Sequence, residues 1–146
     1  MRAFSAGNPL VLRNPGAVRP WQHVLDPLCG YLLLAERLFA GGAYTENWNF
    51  GPSEANTQPV DYIVEKLARY WDAATWRMAD GKQPHEAVHV KIDASKAQVR
   101  LGWHPRLATD LALDWTAAWY RRQQDGASAR DLCLDQIQRY QKQDGR

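Results

Sequence analysis

Residues 10–24 constrain the fold most strongly, because they pass from a short apolar strand to an amphipathic helix through a loop of functional side chains. Leu10 to Arg13 has the apolar, β-branched character of a strand. The loop after it carries Arg19, Trp21 and His23, and two prolines restrict its backbone. Because a guanidinium binds phosphate bidentately and an aromatic ring offers a flat face, this loop is typical of an anion-and-ring pocket.

Hydrophobic periodicity and turn signals predict a mixed α/β domain over residues 1–146, with about five helices and three or four short strands. We expect Thr109 and Ser128 to cap the last two helices. The predicted helices cover 24–39, 59–72, 95–101, 109–124 and 128–140, and the predicted strands cover 10–13, 48–50, 75–78 and 88–92.

Composition excludes several classes of function. Eighteen basic and sixteen acidic residues are interspersed along the chain, so no broad field attracts nucleic acid or anionic lipid. Charged residues make up 23% of the chain, which argues against a membrane span. Cys29 and Cys133 lack metal-type or redox-type spacing, so we expect reduced, buried thiols and no metal. Without a basic and apolar leader, the cytoplasm is the expected compartment.

Arg19 is the leading candidate for ligand binding, with Arg13 as a weaker one. The alternative for Arg19 is a surface arginine paired with Asp26 or Glu36.

Trp21 and His23 present flat faces with polar tips, which suit stacking on a sugar or base. Core packing is the stronger interpretation for Trp21, and a satisfied structural histidine is the stronger one for His23.

Several spaced motifs occur in one order that resembles the substrate-binding lobe of the CDP-glucose 4,6-dehydratases, which are extended short-chain dehydrogenase/reductases. The resemblance covers essentially the whole chain. The motifs are Arg-Pro-Trp-Gln-His-Val at 19–24, Trp-Asn-Phe-Gly at 48–51, Asp-Ala-Ser-Lys at 93–96, Leu-Gly-Trp-x-Pro at 101–105 and Trp-Thr-x-x-Trp-Tyr at 115–120.

The resemblance implies roles for individual residues. It implies that Arg19 contacts the diphosphate of a nucleotide-sugar, and that Asn49 helps to hold the lobe near the nucleotide. It places Glu86, preceded by His85, where an acidic residue accepts hydrogen bonds from ribose hydroxyls, and a carboxylate suits a diol because it only accepts. The alternatives are a buried asparagine at 49 and a solvated loop carboxylate at 86.

The resemblance also implies a reaction. The family converts CDP-glucose to CDP-4-keto-6-deoxyglucose, a deoxysugar precursor for lipopolysaccharide, with NAD carrying the hydride. Its catalytic groups and its NAD site belong to a nucleotide-binding lobe, and no glycine-rich strand–turn–helix occurs in this chain. We therefore expect a C-terminal portion that binds substrate, has no catalytic, cofactor or metal ligands, is inactive alone, and belongs to a parent that oligomerises through the missing lobe.

Two other interpretations stay open. One is a non-catalytic nucleotide-binding or interaction module, and the other is the lobe of a different nucleotide-sugar dehydratase or epimerase.

Overall fold

The computed structural model describes residues 1–81 and 83–143. Within them, the helices are α1 (Arg2–Ser5), α2 (Leu25–Phe39), α3 (Val60–Ala68), α4 (Ser95–Leu101), α5 (Thr109–Gln124) and α6 (Ala129–Gln141). The strands are β1 (Leu10–Leu12), β2 (Val18–Pro20), β3 (Thr57–Pro59) and β4 (Trp76–Met78), and a single 3-10 turn covers Glu54–Asn56. This small mixed α/β lobe confirms the predicted fold class.

The strands form two separate two-stranded sheets. β1 pairs in parallel with β4, with Leu10 opposite Trp76, and both of these strands were predicted. β2 pairs antiparallel with β3, with Arg19 opposite Gln58. The sequence predicted no strand at β2 or β3, and this was wrong because each strand is only three residues long and depends on a distant partner.

Two predicted strands are absent from the described part of the chain. Residues 48–50 have an irregular backbone, and the Phe50 ring packs edge-on against Trp103 in the core. Residues 88–92 make a single bridge, between His89 and Val18. Their alternating apolar side chains stay substantially exposed, so no buried sheet face forms to stabilise a strand.

All five predicted helices form. Those predicted at 95–101 and 109–124 have the predicted boundaries, and the other three differ at one or both ends. α3 begins at Val60 because Pro59 pairs within β3. Thr109 is the first residue of α5 and not its cap; its amide N–H donates to the side-chain oxygen of Asn56 and its hydroxyl donates to the Asn56 carbonyl. Ser128 does cap α6, since its hydroxyl accepts from the Asp131 amide at 3.4 Å.

One expectation about burial was wrong. Cys133 is exposed and Cys29 is half-buried, although both thiols are free as predicted. Trp103 and Trp115 are buried in hydrophobic clusters. In α6, Leu132 and Tyr140 are buried, whereas Leu134 and Ile137 are exposed.

Asp26, in the first turn of α2, joins distant parts of the lobe. Its side chain has no exposed surface, and its Oδ1 accepts hydrogen bonds from the Arg106 amide at 2.8 Å and the Tyr140 hydroxyl at 2.7 Å. Its main-chain carbonyl accepts from the Trp103 indole at 3.1 Å. Burial is the largest cause that raises the pKa of Tyr140, and the hydrogen bond to Asp26 is the second largest. Asp26 therefore connects α2 to the 103–106 loop and to α6.

We predict that Tyr140→Phe lowers the free energy of unfolding by about 1.5–3 kcal/mol, because it removes a hydrogen bond to a buried carboxylate. The measurement is chemical denaturation followed by tryptophan fluorescence. Tyr31→Phe is the matched control, since Tyr31 is mostly exposed. Equal stabilities of the two variants would contradict the role assigned to Asp26.

Candidate functional site

Two arginines converge on one glutamate at the edge of the small sheets. Arg13 follows β1, Arg19 lies in β2, and Glu86 comes from the segment before residue 88. Arg13 Nη2 is 2.8 Å from Glu86 Oε1, and Arg19 Nη2 is 3.6 Å from Glu86 Oε2. We call these three residues the Arg–Glu–Arg cluster. The structure thus brings together Arg13, Arg19 and Glu86, which the sequence analysis had selected separately.

Backbone hydrogen bonds hold the two sides of the cluster in position. The Val18 amide donates to the Val88 carbonyl at 2.8 Å, and the Val90 amide donates to the Val18 carbonyl at 3.1 Å. The segment that carries Glu86 therefore runs beside β2, although it is not a regular strand.

The Arg19 guanidinium is held in one orientation. Its Nη1 donates to the carbonyls of Val18 and Ala87, both at 2.9 Å, and three-quarters of its side chain is covered. Its carboxylate partner is Glu86, so the alternative pairing with Asp26 or Glu36 was wrong. A guanidinium oriented before a ligand arrives loses less entropy when it binds an anion.

The Arg–Glu–Arg cluster carries one net positive charge, from two guanidinium groups and one carboxylate. Arg13 is 61% exposed and Glu86 is 29% exposed. The exposure of Arg13 limits the contribution of its ion pair with Glu86 to stability. Chemically, the cluster offers donors for an anion beside an acceptor for hydroxyl groups.

Trp21 and His23 pack behind the loop. The Trp21 indole donates to the Gln58 carbonyl at 2.9 Å. His23 is buried, its Nδ1 accepts from the Leu25 amide at 3.3 Å, and its ring meets Trp115 edge-on. These contacts favour the packing interpretation of both residues.

His85 and Asn49 are both exposed. His85 is adjacent to Glu86 in the chain. Asn49 was given a buried alternative, which the exposure of this residue contradicts. Neither side chain makes a hydrogen bond to the residues that the structure describes.

Gln22 was missed by the sequence analysis. Its Nε2 donates to the Phe50 carbonyl at 2.8 Å, while its Oε1 is buried without a partner among residues 1–81 and 83–143. It lines a cleft of about 420 Å³ together with His23, Trp119, Tyr120 and others. Its position between Trp21 and His23, two residues that the sequence analysis did select, was the signal that could have identified it.

Tyr62 and Lys66 in α3 have the Tyr-x-x-x-Lys spacing, which the sequence analysis also overlooked. Both side chains end on Asp110 of α5, with the Tyr62 hydroxyl 2.6 Å from Oδ1 and the Lys66 ammonium 2.6 Å from Oδ2. The hydrogen bond from Lys66 lowers the pKa of Asp110. This pair therefore ties α3 to α5.

The described residues contain no group of three His, Cys, Asp or Glu side chains with the geometry to hold a metal. None of their helices combines the length and apolar character that a membrane crossing requires.

Comparison with known proteins shows which of them this chain is similar to. No protein-family profile matches the chain. CDP-glucose 4,6-dehydratase from Salmonella typhimurium is 43% identical to it over an alignment of 127 residues, and the match covers 83% of this chain and 35% of that protein. The chain is a relative of CDP-glucose 4,6-dehydratase. It spans about a third of that relative's length.

Solved structures share the fold of this chain. UDP-glucose-4-epimerase from Stenotrophomonas maltophila, with bound NAD and formylated UDP-arabinopyranose, gives a TM-score of 0.67 at 20% identity, covering 86% of this chain and 39% of its own. dTDP-glucose 4,6-dehydratase from Bacillus anthracis, in complex with NAD, gives 0.61 at 21% identity, covering 83% and 37%. The chain therefore has the fold of part of an extended short-chain dehydrogenase/reductase.

We predict that His23 makes the stability of the chain fall with acid. Burial lowers its pKa, and this outweighs the opposite effects of Asp26 and Gln136. As pH falls below about 6.5, His23 takes up a proton in the unfolded state before it does so in the folded state. The free energy of unfolding is therefore highest above this pH, and it decreases until the pH reaches the lower pKa of the folded state. Thermal melts between pH 7.5 and 5 should show a shallower decline in His23→Gln than in wild type.

The control for this measurement is His104→Gln, because His104 is exposed. We expect its pH dependence to match wild type. If His23→Gln also followed the wild-type curve, a buried neutral His23 would be contradicted.

Proposed function

We propose that the chain is the nucleotide-sugar-binding portion of a CDP-glucose 4,6-dehydratase. In this proposal Arg19, assisted by Arg13, binds the diphosphate, and Glu86 accepts hydrogen bonds from the ribose hydroxyls. The convergence of both guanidinium groups on Glu86 is the observation that carries the proposal. It supports a site because it places anion donors and a diol acceptor within one side-chain length of each other.

The chemistry of the ligand fits this arrangement. A nucleotide diphosphate bridge presents negatively charged oxygens a few bonds away from a ribose diol. Arg19 is oriented by two carbonyls, and Arg13 is free to move because most of its side chain is exposed. We infer that, when the ligand binds, the arginines exchange some of their hydrogen bonds with Glu86 for hydrogen bonds with the diphosphate. The Glu86 carboxylate can then accept hydrogen bonds from the ribose.

The remaining candidates have smaller roles in the proposal. His85, next to Glu86 in the chain, contacts the ligand in this proposal. Trp21 and His23 hold the loop from behind through the contacts of their rings. Asn49 receives no ligand contact in the proposal.

We assign the catalytic reaction to the complete enzyme. There, CDP-glucose is converted to CDP-4-keto-6-deoxyglucose, and the NAD site and the acid–base groups lie in a nucleotide-binding lobe. The NAD bound in two of the related folds supports this division of labour, since the chain covers only 37–39% of those proteins. This portion binds and orients the substrate and carries no chemical step by itself.

A second candidate function is the equivalent portion of an epimerase that acts on a different nucleotide-sugar. The fold likeness to UDP-glucose-4-epimerase, with a TM-score of 0.67, is the observation that favours it. The two candidates differ in the base that they recognise. Isothermal titration with CDP-glucose, UDP-glucose and dTDP-glucose separates them, and we expect CDP-glucose to bind most tightly.

We predict that Arg19→Ala weakens CDP-glucose binding about 10- to 100-fold, equivalent to about 1.5–3 kcal/mol for a charged hydrogen bond. The protein measured is a chimera in which this chain replaces the matching portion of the Salmonella typhimurium enzyme. Arg77→Ala is the matched control, because Arg77 is an exposed arginine that pairs locally with Asp80.

Unchanged affinity of Arg19→Ala would remove Arg19 from the site. Equal losses in Arg19→Ala and Arg77→Ala would indicate a general charge effect and would also contradict the proposal.

We predict that Glu86→Gln loses discrimination between CDP-glucose and its 2′-deoxyribose analogue. Wild type should bind CDP-glucose more tightly, because the carboxylate accepts a hydrogen bond from the 2′-hydroxyl. In the variant, the affinities for the two ligands should approach one another in the same chimera. A variant that keeps the full wild-type preference would show that Glu86 does not contact the ribose.

A further inference from the structure

Glu86 occupies the position between two arginines where an anion would bind. Its two carboxylate oxygens engage different guanidinium groups, with Oε1 at 2.8 Å from Arg13 Nη2 and Oε2 at 3.6 Å from Arg19 Nη2. The oxygens of a phosphate group pair with neighbouring guanidinium groups in the same way. A carboxylate therefore lies in the place that the proposed function gives to a diphosphate.

The hydrogen bonds of Arg19 restrict where an anion can approach it. Nη1 donates to the carbonyls of Val18 and Ala87, both at 2.9 Å. The other terminal nitrogen, Nη2, is the one that faces Glu86. An anion that pairs with Nη2 therefore competes with the Glu86 carboxylate for it.

The main chain keeps Glu86 close to the arginines when its carboxylate is displaced. The Val18 amide is bonded to the Val88 carbonyl at 2.8 Å, and the Val90 amide is bonded to the Val18 carbonyl at 3.1 Å. A rotation of the Glu86 side chain can separate the carboxylate from a guanidinium, but these bonds hold the segment beside β2. The displaced negative charge then lies near the bound anion, and like charges at short distance repel each other.

We propose that Glu86 is a specificity-determining residue that excludes anions without neighbouring hydroxyl groups, such as inorganic pyrophosphate. The inference rests on the proposed function, since it assigns the diphosphate to Arg13 and Arg19. An anion without hydroxyl groups displaces the carboxylate and offers it no new donor. A nucleotide-sugar displaces it and also presents the ribose hydroxyls, which donate to it. The site therefore binds a diphosphate tightly only when a diol accompanies it.

Two arginines without a carboxylate would favour the wrong ligands. Inorganic pyrophosphate carries more negative charge than the diphosphate bridge of a nucleotide-sugar, and charge-assisted hydrogen bonds to guanidinium groups are strong. Glu86 lowers the net charge of the Arg–Glu–Arg cluster to one positive charge, which weakens the binding of every anion. The ribose contact restores affinity for a ligand with a diol. Discrimination then comes from a repulsive contact as well as an attractive one.

Titration with inorganic pyrophosphate tests this role without any nucleotide-sugar. Wild type and Glu86→Gln are compared by NMR of this chain, with affinity read from the side-chain resonances of Arg13 and Arg19. The tryptophan indole resonances show whether each variant keeps its fold.

Glu46→Gln is the matched control. It makes the same substitution at another glutamate whose two oxygens pair with separate cations, Lys96 at 2.5 Å and Arg100 at 2.7 Å. A general effect of removing one negative charge would therefore act in both variants, whereas an effect specific to the Arg–Glu–Arg cluster would act in Glu86→Gln only.

We expect Glu86→Gln to bind pyrophosphate about tenfold more tightly than wild type, because no carboxylate has to be displaced. At the Arg13 and Arg19 resonances, Glu46→Gln should match wild type. The gain should disappear at the Arg13 resonance when Arg19→Ala is added to Glu86→Gln. Affinity of Glu86→Gln equal to or below that of wild type would overturn the proposal, and so would an equal gain in Glu46→Gln.

Failure of this inference is distinguishable from failure of the proposed function. Tighter pyrophosphate binding in Glu86→Gln, with no effect of Arg19→Ala on the affinity for CDP-glucose, would support anion exclusion by Glu86 and refute the substrate site. Unchanged pyrophosphate binding in Glu86→Gln, with weaker CDP-glucose binding in Arg19→Ala, would support the substrate site and refute anion exclusion.

Discussion

The buried carboxylate of Asp26 holds together parts of the lobe that are 80 and 114 residues apart in sequence. A buried carboxyl group is costly unless hydrogen bonds compensate it. Here Arg106 and Tyr140 both donate to Oδ1, while Oδ2 is buried without a partner among the described residues. Asp26 also lies only seven residues after Arg19. The bonds that anchor α2 therefore also fix the point at which the segment that carries Arg19 enters the helix.

Local patterns predicted the elements that local interactions stabilise. α2 and α4 follow from helical periodicity, and Gly102 ends α4 with a positive φ of 68°, as a glycine after a helix should. β2 and β3 could not be predicted, because each consists of three residues stabilised by the other across almost forty positions. The alternation of residues 88–92 was misleading for the same reason: without a partner sheet, an alternating pattern has no face to bury.

The candidate site was likewise predictable only where it depended on local sequence. Residue chemistry selected Arg19, and the family resemblance selected Glu86, but neither could show that Arg13 would bond to the same carboxylate from a different element. The role of Asp26 was equally out of reach, since its partners are distant in sequence. Burial decided the interpretation of His23, which is 4% exposed, and no property of an isolated histidine in a sequence reports burial.

The most direct test of the central claim is arginine side-chain NMR of this chain during titration with CDP-glucose, which detects weak binding. The account predicts that the Nε–Hε resonances of Arg19 and Arg13 shift with a common dissociation constant, while the resonance of Arg77 stays in place. Shifts spread evenly over exposed arginines, or an unchanged Arg19 resonance at saturating ligand, would contradict it.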